Sequence, residues 1–190
     1  RTFYPAYKEV LHTTNHGSDI LQASAEAHRE RYYWEIRRLS STKDALVHVD
    51  KTPILSASIK YAAKAFPLMR YIFAIRHPYD VIISNYKQRY EQNSSMAAFN
   101  ELHTACELYD YVMSNWFDIF SLDSDQVCYV YYDELVTKFE PTVRRVIDFL
   151  GVEWDDSVLN FAEHSKKRAV RTPSYANVRK GLSLGIQSSY

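Results

Sequence analysis

The stretch Met69–Tyr86, MRYIFAIRHPYDVIISNY, contains the clearest fold signal in the chain. It begins with an apolar run, YIFAI at 71–75, that is rich in aromatic and β-branched residues and typical of a buried strand. Pro78 suits the first position of a helix, because its missing N–H needs no partner there, and Asp80 in the first turn complements the helix dipole. The sequence therefore predicts a strand, a polar junction and a helix from about Tyr79.

Two polar side chains lie at this junction and on the helix that follows it. Arg76 stands at the carboxyl end of the predicted strand, and Ser84 comes eight residues later. Ligands bind at the carboxyl ends of strands in parallel α/β sheets, and helix N-termini attract anions. The pattern is therefore compatible with a guanidinium and a hydroxyl that bind one phosphate. It is equally compatible with an arginine that caps a loop and a serine that solvates a helix surface.

The rest of the chain alternates helices and strands. Periodicity and turn residues predict strands at Ala45–Val49 and Val127–Tyr132. The predicted helices are Ser18–Leu39, Lys51–Phe66, Met96–Phe120, Pro141–Leu150 and Ser157–His164. The first has a partial apolar face: Ile20, Leu21, Ala25, Tyr32, Ile36 and Leu39. The third has an apolar stripe that predicts core residues: Phe99, Leu102, Ala105, Cys106, Tyr109, Val112, Met113, Trp116 and Phe117. Asp133 and Glu134 are predicted to open a further helix. Gly151 suits the position after the fourth of these helices. With no internal repeat and no long linker, the sequence predicts one α/β domain over residues 1–190, a three-layer sandwich with a parallel sheet.

Bulk composition excludes several classes of protein. A chain of 190 residues with 46% hydrophobic residues can bury a sizeable core. Its 23 basic and 23 acidic residues argue against a general nucleic-acid binder, though not against a local anion site. Cys106 and Cys128 are isolated, which favours a reducing compartment, and no membrane span or signal peptide is visible. We therefore expect a cytoplasmic protein.

A metal site is not predicted. His12 and His16 stand four residues apart, which would place them on one face of a helix. Their Thr-Asn-Gly context is typical of a loop, and no third ligand lies near them in the sequence.

The pattern Arg76-x-Pro78-x-Asp80-x-x-x-Ser84 after an apolar strand resembles the 3′-phosphate-binding motif of sulfotransferases. Those enzymes use 3′-phosphoadenosine 5′-phosphosulfate (PAPS). Further matching stretches follow the family's order: Val49–Pro53, Val130–Leu135, Asp148–Val152, Arg171–Ser174 and Val178–Gly181. The resemblance extends from about Val47 to Gly181. It is nearest to the bacterial branch and more distant to tyrosyl-protein sulfotransferases, and it implies a P-loop-NTPase-like fold.

The resemblance also implies roles for individual residues. Arg76 and Ser84 would bind the 3′-phosphate, and Tyr132 would contact the adenine. Lys51 would be the catalytic cation that contacts the oxygens of the transferring group. A lysine ammonium on its flexible side chain adjusts to the moving oxygens more easily than a rigid guanidinium does. Three residues would lie on a closing segment at the 3′-phosphate side: Ser174, Arg179 and Lys180.

Two features depart from the family pattern. Sulfotransferases of the hormone-and-phenol type carry a catalytic His two residues after the lysine, and Pro53 stands at that place here. The general base is therefore expected elsewhere. The family's 5′-phosphosulfate loop is a glycine-containing turn between a strand and a helix, and no glycine of this chain has that context. Either the loop lies upstream of Arg1, so that the fold is N-terminally incomplete, or this chain binds the sulfuryl end poorly.

The resemblance thus implies a PAPS-dependent sulfotransferase that releases 3′,5′-adenosine bisphosphate. Its acceptor hydroxyl would belong to a small molecule, a lipid, a carbohydrate or a peptide, and no nucleic-acid partner is expected. One alternative is a non-catalytic nucleotide-binding or interaction domain derived from the same fold. A small nucleotide kinase is less favoured, because no Walker-type Lys-Ser pair follows a glycine loop.

Overall fold

The structure is a computed structural model that describes residues 18–40, 45–51, 53–88, 90 and 96–161, with backbone alone at 18–24, 54 and 55. Its chain forms two compact units. The first comprises the chain up to Met69 together with Asn115–Ile119, and the second comprises Arg70–Ser114 and the chain from Phe120 onwards. One domain over residues 1–190 stays a prediction.

The first unit is helical. Its helices are α1 (Ser18–Leu39), a 3₁₀ helix (Pro53–Ser58) and α2 (Ile59–Ala65). Tyr32 on α1 packs edge-on against Phe66, which follows α2, with ring centroids 5.1 Å apart. Ala25 and Ile36 pack against this buried pair, so the apolar face predicted for α1 is confirmed there. Leu39, assigned to the same face, is exposed.

The predicted strand Ala45–Val49 is wrong. Residues 45–51 have irregular backbone and belong to no sheet. Leu46 and Val49 are 92% and 72% exposed, so their apolar side chains find no surface to cover. A strand depends on a neighbouring strand and on packing, and a short apolar alternation by itself supplies neither.

The second unit contains the sheet. Its elements are β1 (Tyr71–Ile75), α3 (Pro78–Lys87), a 3₁₀ helix (Ala97–Asn100), α4 (Leu102–Phe117, whose end belongs to the first unit), β2 (Val127–Tyr131), α5 (Tyr132–Thr137), α6 (Phe139–Leu150) and a last 3₁₀ helix (Asp156–Asn160). Both strands were predicted to within one residue, and so was the start of α3. The fold class is α/β, as the sequence predicts.

The strands β1 and β2 pair in parallel, with Tyr71 opposite Val127 and Ile75 opposite Tyr131. Val127 and Val130 of β2 are buried. The burial predicted for β1 is wrong, because its residues alternate between half-buried and exposed and Ile72 is 41% exposed. Because the pairing is parallel, both strands end at the same edge. The residues that follow Ile75 and Tyr131 therefore lie close together at the carboxyl edge of the sheet.

The long helix predicted over Met96–Phe120 is interrupted. Glu101 takes an extended backbone (φ −126°, ψ 141°) between the 3₁₀ helix and α4. The Thr104 hydroxyl donates to the Ala98 carbonyl oxygen at 2.6 Å and so links the two helices across the break. On α4, Ala105 and Trp116 are buried as the apolar stripe predicts, whereas the predicted core residues Leu102, Cys106 and Phe117 are exposed.

Gly151 ends α6 as the sequence predicts. Its backbone is left-handed at φ 70°, and its N–H donates to the Asp148 carbonyl at 3.0 Å. The Val152 N–H donates to the Ile147 carbonyl at 3.4 Å, which completes a Schellman motif.

We expect Gly151→Ala to lower the free energy of unfolding by about 1 kcal/mol, since only glycine adopts left-handed backbone without a Cβ penalty. An added Cβ would meet no atom within 4 Å, so steric clash contributes nothing to the loss. Urea unfolding measures it. Gly151→Asn is the matched control and should lose less, because asparagine tolerates this backbone. Equal stability of the alanine variant and the wild type would contradict the assignment.

Candidate functional site

The carboxyl edge of the sheet brings Arg76 and Tyr132 together. Ile75 and Tyr131 are paired across the two strands, and each is the last residue of its strand. Arg76 and Tyr132 come directly after them. The Arg76 Cζ atom lies over the Tyr132 ring, 4.9 Å from its centroid. A guanidinium over an aromatic face is a cation–π contact, so Tyr132 supports one face of the cation.

Asp80 holds the edge of the same guanidinium. Its Oδ2 atom accepts from Arg76 Nε at 3.2 Å and lies 3.1 Å from Arg76 Nη2. Pro78 occupies the first turn of α3, and helical side chains point back toward the N-terminus. The Asp80 carboxylate in that turn therefore reaches Arg76, two residues before the helix.

The two partners differ in exposure. The Asp80 side chain is only 11% exposed, while the Arg76 side chain is 26% exposed. The Nη1 and Nη2 groups of Arg76 donate no hydrogen bond within the described part of the chain, although Nη2 lies within ion-pair distance of Asp80. This pair therefore combines a buried carboxylate with a cation that retains donors for an incoming anion.

Ser84 lies one helical turn beyond Asp80 on α3, so the two residues share a face of the helix. Ser84 is exposed, and its hydroxyl makes no hydrogen bond to any residue that the structure describes. It is therefore accessible to an anion that approaches the N-terminal part of α3.

Lys51 belongs to the first unit. It is exposed, follows an irregular segment rather than a strand, and precedes the 3₁₀ helix that begins at Pro53. Its neighbour Asp50 accepts a hydrogen bond of 3.3 Å from the Tyr32 hydroxyl. Burial, together with the negative charge of Asp50, raises the pKa of Tyr32 above its usual value, so this hydroxyl stays protonated as a donor. The contact ties the segment before Lys51 to the aromatic core of the first unit.

Several predicted residues lie outside the described part of the chain. They are His12, His16, Ser174, Arg179 and Lys180. Within the described residues, no three His, Cys, Asp or Glu side chains are grouped to hold a metal ion. None of the described helices combines the length and the apolar character needed to cross a bilayer.

Two features of the site were missed by sequence reasoning. Asp80 was assigned only to the helix dipole, and its ion pair with Arg76 was not predicted, because Arg76 lies before the helix and the rule for side chains one helical turn apart does not apply to it. The stacking of Tyr132 on Arg76 has no local signal, because it depends on the pairing of two strands that are distant in sequence. The acidic pair Asp133 and Glu134, predicted to open a helix, does lie in the first turn of α5.

Sequence comparison places the chain among known proteins. The sequence model of the sulfotransferase family matches residues 4–156. A protein of Aquifex aeolicus (strain VF5), described as "uncharacterized protein", is 28% identical over 167 residues, which is 86% of this chain and 20% of that relative. The chain thus spans about a fifth of the length of this relative. The extent of the family match shows that the chain belongs to the sulfotransferase family.

Proposed function

We propose that this chain binds PAPS and transfers its sulfuryl group to an acceptor hydroxyl. The observation that carries the proposal is Arg76, a cation held at the carboxyl edge of a parallel sheet with donors left for an anion. Family membership supports the reaction class. The sheet edge and the helix that begins beside it are where such folds bind phosphorylated ligands.

Arg76 and Ser84 would bind the 3′-phosphate of the nucleotide. A guanidinium makes strong charge-assisted hydrogen bonds to phosphate oxygens, and an accessible hydroxyl adds a neutral donor. Tyr132 would contact the adenine while it supports Arg76. Ser174, Arg179 and Lys180 would close over the 3′-phosphate side.

Lys51 would act on the transferring group. In the reaction a bond forms between the acceptor oxygen and sulfur, and the bond between sulfur and the 5′-phosphate oxygen breaks. The products are a sulfate ester and 3′,5′-adenosine bisphosphate. Negative charge grows on the departing phosphate oxygen, and an ammonium beside it stabilises that charge. The acceptor proton would pass to a general base at another position, because the proline at position 53 has no basic side chain.

A second candidate is a non-catalytic nucleotide-binding or interaction domain. Pro53 at the position of the catalytic histidine and the lack of a glycine turn between a strand and a helix favour it. The two candidates differ in turnover: both bind the nucleotide, and only the enzyme converts PAPS when a hydroxyl acceptor is supplied. The acceptor proposed here is a small molecule, a lipid, a carbohydrate or a peptide.

Calorimetric titration with 3′,5′-adenosine bisphosphate tests the nucleotide site. We expect micromolar binding by the wild type and a loss of about a hundredfold in Arg76→Ala, because a charged contact to the phosphate is removed. Arg144→Ala is the matched control. Arg144 also pairs with a carboxylate one helical turn away, Glu140 at 2.7 Å, but that pair is exposed.

Arg144→Ala should bind the bisphosphate with an affinity within about twofold of the wild type. An exposed ion pair contributes little to stability, and the charge that this variant removes acts on the site only through solvent screening. Unchanged binding in Arg76→Ala, or no binding by the wild type, would overturn the proposed nucleotide site.

A further inference from the structure

We propose that Asp80 is a positioning residue that holds the Arg76 guanidinium in its phosphate-binding orientation. The inference rests on the proposed function, because it assigns Asp80 a part in binding the 3′-phosphate. Asp80 itself would not touch the nucleotide, and it would act through Arg76.

The geometry fixes the plane of the guanidinium. Oδ2 of Asp80 engages Nε and Nη2, which lie along one edge of the group. Tyr132 covers a face at 4.9 Å. A planar group held along one edge and one face has little freedom to rotate. Its remaining donors, on Nη1 and on the outer side of Nη2, therefore point in one direction.

Burial distinguishes this pair from Glu140–Arg144, another arginine–carboxylate pair four residues apart. In the Glu140–Arg144 pair both side chains are about half exposed, at 47% and 46%. In the Arg76–Asp80 pair they are 26% and 11% exposed. Water competes for the Glu140–Arg144 pair and weakens it, whereas the more buried Arg76–Asp80 pair is screened less by solvent. The Arg76 orientation is therefore the more strongly held of the two.

Pre-organisation explains why a negative charge near an anion site favours binding. A long arginine side chain loses conformational entropy when it is immobilised on a ligand. Asp80 already orders the Arg76 side chain when the protein folds. The phosphate therefore binds a guanidinium whose entropy loss has already occurred. The opposing effect is repulsion between the Asp80 carboxylate and the phosphate. We expect the ordering of Arg76 to dominate, because Oδ2 is directed at the guanidinium edge away from the remaining donors.

Titration of the full chain with two probes isolates this role. One probe is 3′,5′-adenosine bisphosphate, and the other is adenosine 5′-phosphate, which lacks the 3′-phosphate. We expect Asp80→Ala to weaken binding of the bisphosphate about tenfold and to leave binding of the monophosphate within about twofold. Asp80→Asn retains an acceptor oxygen of nearly the same shape and should fall between the alanine variant and the wild type.

The double variant completes the test. If Asp80 acts through Arg76, then Asp80→Ala has no further effect on bisphosphate affinity once Arg76 is alanine, since contacting residues are not additive. An equal loss for both probes would assign Asp80 a merely structural role. Tighter bisphosphate binding by both Asp80 variants would show that repulsion dominates. A loss of equal size in the Arg76→Ala background would show an action independent of Arg76. Each of these three results overturns the inference.

Failure of the proposed function gives a different pattern. A wild type that binds the two probes equally, or binds neither, refutes the 3′-phosphate site itself and the inference with it. Should Asp80→Ala not fold, Asp80→Asn supports the inference through a loss of a few-fold confined to the bisphosphate. The inference is wrong if the asparagine variant matches the wild type.

Discussion

Replacing Lys51 with alanine is expected to lower kcat by about a hundred- to a thousandfold, with the affinity for PAPS changed by no more than a few-fold. The reason is that the ammonium would act mainly on charge that develops as the bond to the departing phosphate oxygen breaks. An interaction made chiefly in the transition state affects turnover more than ground-state binding. Lys51 is exposed, so its removal should leave the fold intact.

The measurement is release of 3′,5′-adenosine bisphosphate from PAPS in the presence of phenolic, carbohydrate and tyrosine-peptide acceptors. Lys60→Ala is the matched control, because Lys60 is also exposed in the first unit and pairs with Asp118 at 3.0 Å. It should retain wild-type turnover. Lys51→Arg should recover part of the rate, since it keeps the charge in a more rigid form. Full turnover by Lys51→Ala would remove Lys51 from the mechanism, and no turnover by the wild type would favour the non-catalytic domain.

Phe66→Ala is expected to lower the free energy of unfolding of the first unit by about 3–5 kcal/mol. Phe66 is 6% exposed and packs edge-on against Tyr32 at 5.1 Å and Tyr33 at 6.2 Å. Removing its ring deletes buried apolar area and leaves a cavity between α1 and the end of α2. Because Tyr32 also donates to Asp50, the same change should loosen the segment that leads to Lys51.

Urea unfolding followed by circular dichroism measures this loss. Leu68→Ala is the control: Leu68 follows closely in the sequence but is 91% exposed, so its truncation should change stability by less than about 0.5 kcal/mol. Phe66→Leu should lie between them, because it keeps most of the buried volume. Equal stability of Phe66→Ala and Leu68→Ala would show that the aromatic cluster of the first unit does not support its fold.

Several elements were predictable because their causes are local. The apolar run of β1, Pro78 at the start of α3 and Gly151 after α6 each act through neighbouring residues, and all three elements occur at the predicted positions. The burial predicted for β1 is not observed, because burial depends on what packs against the strand. The failures come from properties that neighbours do not determine. Residues 45–49 have strand-like alternation but pair with no strand among the described residues, and Leu39 has helical periodicity but is 55% exposed.

The candidate site divides in the same way. The sequence by itself determined that Arg76 ends an apolar strand and that Asp80 and Ser84 follow at helical spacing, since strand and helix signals are local. Only the tertiary structure decided that Tyr132 lies against Arg76, because that contact requires β1 and β2 to pair in parallel and in register. The tertiary structure also decided that Asp80 is buried. Burial shields its ion pair with Arg76 from water, so the guanidinium is held in one orientation.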